Sequence, residues 1–138
     1  MVERPAWQVL LSEALAVLAF PADEQVRVNG PGCVTCDMQE DFEHARSLAV
    51  GNGLNLSVDQ LHILEEIDRI IRTMEEQDYQ CFNNEALYRH VWRQLRKLAS
   101  HALRLFGWEG TVVQPFVETE PGVWRRPPVQ WAPQVDLE

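Results

Sequence analysis

The stretch "SVDQLHILEEIDRIIRTM", residues 57–74, decides the fold. Its first four residues, Ser57–Gln60, form a capping-box pattern. The serine hydroxyl accepts a free backbone N–H of the first helical turn, and the glutamine reaches back to the serine's own N–H. Behind the box, Val58, Leu61, Leu64, Ile67, Ile71 and Met74 recur at three- and four-residue spacing, with Glu65, Asp68, Arg69, Arg72 and Glu76 outside the stripe. A helix with a single apolar stripe is stable only against other elements, and the segments on either side read as helices too.

Upstream, "DMQEDFEHARSLAVGNG" predicts a helix that opens at Asp37, with Glu40 completing a box-like cap. Met38, Phe42, Ala45 and Ala49 face inward, and "GNG" at 51–53 stops it. Before it, "ADEQVRVNGPG" leaves room for a short extended piece at residues 25–28 and a Gly-Pro-Gly turn. The first helix follows Pro5, buries Trp7, Leu10, Leu11, Ala14, Val17 and Leu18, and ends at Pro21. Downstream, Asn83 or Asn84 caps the longest helix, whose inward face is Leu87, Val91, Leu95, Leu98, Ala102 and Leu105, widened by Trp92 and Phe106. Gly107 fits a left-handed stop, with Trp108 closing on Leu103. Residues 109–138 hold five prolines and no helical period, and the segments around "EPG" at 120–122 predict a loose hairpin. The expected fold is therefore mainly α: a small four-helix bundle over residues 1–108, with an irregular or β-hairpin C-terminal arm, residues 109–138, packed on it. The arm's Trp124 and Trp131 are expected to wrap the chain's own core; a homodimer in which they cross into a second chain is the other option.

Charge narrows the function. The chain carries a net charge of −9, which disfavours nucleic acid, because phosphates need Lys and Arg. Residues 37–78 hold eleven acidic residues against three arginines, while residues 85–106 hold one glutamate against five basic residues. These two segments either face each other or leave an acidic face for a basic partner. No apolar run is long enough to span a membrane. Glu3 and Glu13 spoil a secretory signal in the first twenty residues, and three cysteines, an odd number, do not make a disulfide framework. The expected location is cytoplasmic.

Several groups have the letters of a chemical site. Cys33 and Cys36 form a C-x-x-C next to a helix start, where the helix dipole favours thiolate. A thioredoxin-like site also needs a strong strand upstream, which "EQVRVNGPG" does not supply. Cys33, Cys36, His44 and Cys81 are the candidate ligands for a thiolate-rich zinc site, but one C-x-x-C is half the usual signature and Cys81 stands alone. The sequence reading therefore treats the cysteines as small apolar residues of a partly buried loop and expects no cofactor. Asp41/His44 and Asp59/His62, each at i, i+3, with Glu40 and Glu66, echo the ligand pattern of ferritin-like bundles, but Asp59 lies in a first turn rather than mid-helix. No G-x-S-x-G, P-loop, G-x-G-x-x-G or H-E-x-x-H occurs, so no catalytic residue is assigned.

The order of "FPADEQVRV", "EDFEHA", "LSVDQLHILEEID" and "NNEAL…VWRQLRKLASHAL" over residues 6–108 resembles small acidic bacterial immunity proteins. Such proteins bind and neutralise a cognate toxin. The resemblance implies a non-enzymatic protein that inhibits or regulates a basic protein partner, and it carries over no catalytic residues. On this reading the carboxylates Asp37, Glu40, Asp41, Glu43, Glu75, Glu76 and Asp78 meet the partner's cations, with Tyr79, Phe82 or Trp124 as the buried anchor. The competing reading is a metal- or thiol-dependent protein using Cys33 and Cys36 with His44.

Overall fold

The computed structural model describes residues 4–51 and 56–131. Among these residues five α-helices make the body: α1 (Ala6–Ala19), α2 (Ala22–Asn29), α3 (Val34–Gly51), α4 (Val58–Arg72) and α5 (His90–Phe106). Two 3-10 turns, Glu76–Asp78 and Asn84–Tyr88, lie between α4 and α5. Short strands follow among the described residues: β1 (Thr111–Val112), β2 (Val117–Glu120), β3 (Val123–Arg125) and β4 (Gln130–Trp131). The mainly helical bundle with a hairpin arm is thus the observed architecture. None of the described helices is long and apolar enough to cross a membrane.

The core forms where α1 packs against α3 and α5, and α4 against α5. Leu11, Leu15 and Leu18 of α1 meet Met38 and Phe42 of α3 and Leu95 and Ala99 of α5, all essentially without solvent contact. Trp92 is the largest fully buried side chain, and its indole N–H donates to the Asp78 carbonyl oxygen at 2.7 Å. An aromatic of that size stays in a core when its polar atom finds a partner. Gly107 adopts φ 72° and the Trp108 N–H donates to Leu103 O at 2.8 Å, so α5 ends in the expected Schellman closure. Trp108 then stacks on Phe106 with centroids 4.4 Å apart.

Four local expectations are corrected. Residues 25–28 are not extended but belong to α2. Pro21 precedes the first turn, Asp23 and Glu24 lie at its positive end, and Gln25 is buried, donating to Val17 O and Leu18 O at 3.1 Å. The helix thereby covers the carbonyls left free at the end of α1. The helix expected from Asp37 starts three residues earlier, at Val34. The helix expected from Asn83 is broken into a 3-10 turn and α5, whose N-cap is Arg89. In α4 the capping box is present as read, but Val58 is 80% exposed, and the buried face is Ile63, Leu64, Ile67 and Ile70. The stop at 52–53 lies outside the described residues.

The arm is laid across the bundle. β1 pairs antiparallel with β4, and β2 with β3 around Gly122 at φ 79°. Val113 and Val129 join the helical core. Arg126, whose side chain is only 6% exposed, pairs with Glu13 of α1 and donates to Val28 O at 2.7 Å and Asn29 Oδ1 at 2.6 Å. Its guanidinium lies 4.3 Å from the Phe116 ring centroid.

Candidate metal centre

The turn "GPG" at 30–32 sets the start of α3. A Cβ on Gly32 would lie 2.5 Å from Asp37 Oδ2, so the Asp37 side chain folds back beside the turn. The Asp37 N–H donates to Cys33 O at 2.9 Å, which makes Cys33 the residue before the first turn and Cys36 the end of that turn. The C-x-x-C therefore straddles a helix N-terminus instead of lying in a loop beyond it.

The third sulfur arrives from the segment after α4. Asp78 is buried; it accepts the Glu75 N–H at 2.9 Å and Arg89 Nε–H at 2.5 Å, while its carbonyl holds Trp92. That frame fixes residues 75–92 as a unit. Phe82 adopts φ 61°, the left-handed region that a bulky side chain seldom enters. The reversal turns Cys81 onto α3. Its Sγ lies 3.4 Å from Cys36 Sγ, and the sulfurs of Cys33, Cys36 and Cys81 all lie within 4.8 Å of one another.

Electrostatics divide the three thiols. Burial pushes the Cys33 thiol up. Hydrogen bonds from the Cys36 and Cys81 thiols and from the Cys36 and Phe82 backbone N–H groups outweigh it and bring it down to about 7. Cys36 goes the other way, pushed up to about 12 by its hydrogen bond to Cys33, by burial and by Cys81. Of the C-x-x-C pair, Cys33 is thus the more acidic thiol. The spacing is too long for a disulfide, whose sulfurs lie about 2.05 Å apart. It suits a single tetrahedral ion: metal–sulfur bonds of about 2.3 Å put sulfurs roughly 3.8 Å apart.

His44, the fourth candidate ligand, is not in this group. It lines a cavity of about 150 Å³ between α1, α3 and the arm, with Leu10, Glu13, Met38, Asp41 and Arg126. Asp59, His62 and Glu66 line a separate groove with His101, so the two carboxylate–histidine pairs are not brought together. Among the described residues no His, Asp or Glu joins the three cysteines.

Of the acidic residues expected to face a partner, Glu40, Asp41, Glu43, Glu75 and Glu76 are exposed and Asp37 is half-buried. Asp78 is instead taken up internally by Arg89. Burial and the neighbouring carboxylates raise Asp41 to about 6, and Arg126 partly opposes them. Tyr79, Phe82 and Trp124 are all exposed, Phe82 at 76%; Tyr79 and Glu76 line a groove against Cys36 and Cys81. No local sequence pattern marks Arg126 as a partner for the carboxylates of α1 and α3. It lies in a proline-rich segment that gives no period, and 113 residues separate it from Glu13. The residues of the side chain of Trp131 and of the chain beyond it lie outside the described set. Compared with known proteins, the chain matches no family model, no curated protein and no solved structure.

Proposed function

We propose that the chain is a zinc-thiolate protein in which Cys33, Cys36 and Cys81 hold one Zn²⁺ and fasten the acidic and aromatic segment 75–82 onto α3 for contact with a partner protein. The single observation that carries this reading is the convergence of three sulfurs from segments 45 residues apart. Thiolate ligands suit zinc, and three protein ligands leave one coordination position for something else. Binding displaces the remaining thiol protons to solvent, so affinity rises with pH. Zinc-loaded, desalted protein is expected to retain about one zinc per chain by elemental analysis, and its Co²⁺ form to show a thiolate-to-metal charge-transfer band. Cys81→Ser should lose most of the metal. Full retention by that variant would exclude Cys81 as a ligand.

A second reading is favoured by the exposed carboxylates of α3. Glu40, Asp41 and Glu43 point a negative face outward, as expected of an inhibitor of a basic protein such as a toxin. Charge reversal at Asp37, Glu40 and Asp41 should slow association with such a partner and flatten its salt dependence. An unchanged association rate with a basic partner would remove this reading while leaving the metal centre standing.

A further inference from the structure

We propose that Cys36 and Cys81 are a thiol-oxidation site, at which a small hydroperoxide converts the pair into a disulfide that locks segment 75–82 onto α3. The sulfur geometry alone supports this, with or without a bound metal. The two sulfurs lie 3.4 Å apart, on residues 45 apart in the chain. A disulfide holds its sulfurs about 2.05 Å apart, so closing the gap takes a shift of about 1.4 Å. Cys36 Sγ also donates to Tyr79 O at 3.7 Å, which aims it at the segment that carries Cys81. The left-handed backbone at Phe82 turns Cys81 toward it from the other side. Cys33 Sγ stays within 4.8 Å of both sulfurs, but its neighbour at 3.7 Å is Thr35 Oγ1.

Access and charge select the oxidant. Cys81 is exposed and Cys36 half-buried, and both line an open groove with Glu76, Tyr79 and Gln80. A hydroperoxide is small and uncharged, so this groove admits it. An anionic disulfide such as oxidised glutathione meets Glu75 and Glu76 in a chain of net charge −9 and is repelled. Cys81, the more open sulfur, attacks a peroxide oxygen as its thiolate. The O–O bond breaks, and the departing hydroxide recovers the proton that Cys81 gave up and leaves as water. Cys81 is then a sulfenic acid, and Cys36 attacks its sulfur. The S–O bond breaks, the oxygen leaves with the Cys36 proton as a second water, and the disulfide forms. Two thiols and one hydrogen peroxide thus give one disulfide and two waters, with two electrons passing from the sulfurs to the peroxide. Where the three cysteines hold zinc, the same bond removes two of its three ligands.

The test treats the full, reduced chain with hydrogen peroxide, alkylates the remaining thiols and maps the unreduced digest by mass spectrometry. The expected product is a monomer with Cys36 linked to Cys81 and Cys33 alkylated. Cys33→Ser should still form the link. In denaturant the short Cys33–Cys36 loop costs least to close and should become the main product, which shows that the fold directs the native pairing. No link in the folded chain, a link through Cys33, a link between two chains, or loss of the link in Cys33→Ser would overturn the proposal. Oxidised glutathione at equal concentration should form the link more slowly, and a faster reaction would overturn the choice of oxidant. Zinc-loaded protein separates this proposal from the metal reading. Zinc set free as the link forms supports both, whereas a link in a chain that retains no zinc supports the oxidation site while the metal reading falls.

Discussion

Asp41 shows how one side chain can stand between fold and function. Its carboxyl is raised to about 6 by burial first, then by Asp37 and Glu13, with Glu40 adding and Arg126 opposing. A carboxylate whose folded pKa lies above the unfolded value binds more protons in the folded state, so stability falls as pH rises from about 4 to about 6. Asp41→Asn should therefore leave stability unchanged below pH 4 and raise it above pH 6. The gain is about 1 kcal/mol or less, since the group is open to solvent on one side. Denaturant melts at pH 4 and pH 7 check this, and an equal effect at both would show that ionisation is not its source. Residues of this kind were only half legible in the sequence. The acidic run was plain, but its buried counter-charge at Arg126 is a long-range contact that no local pattern encodes. The cysteines show the same divide: the C-x-x-C is visible as a spacing, whereas Cys81 gains meaning only from the reversal at Phe82.

At the scale of elements, legibility followed periodicity. The capping box of α4 was read correctly because it is local: the Ser57 hydroxyl accepts the Gln60 N–H at 3.1 Å, and the Gln60 side chain accepts the Ser57 N–H at 2.9 Å. Ser57→Ala should cost about 1 kcal/mol in a denaturant titration with an unchanged slope. A cost near zero would mean that α4 is held by its packing alone. Residues 25–28 suggest an extended piece because Val26 and Val28 alternate as a strand would, yet they belong to α2. What makes it helical is the tertiary demand of the α1 carbonyls that Gln25 satisfies. The early start of α3 is hidden in the same way, since Asp37 looks like a cap but its N–H already closes the first turn onto Cys33 O.

For the whole molecule, the arm matters as much as the helices. Arg126→Ala would leave the Glu13 carboxylate, the Val28 carbonyl and the Asn29 side chain without their shared partner. The Glu13 side chain is 26% exposed, so losing these charge-assisted hydrogen bonds is expected to destabilise by about 1.5–3 kcal/mol. Thermal unfolding measures it; a loss of under about 1 kcal/mol would mean that the arm only rests on the bundle. That the arm is a hairpin was readable from "EPG", but its attachment through one arginine was not. The same attachment bears on how the polypeptide is made. α1 leaves the ribosome before α3, its other neighbours α5 and β1, and its salt-bridge partner Arg126. At roughly 10 residues per second, the face of α1 that α5 covers waits on the order of ten seconds for its partner, which makes that interval the natural point for a chaperone to engage.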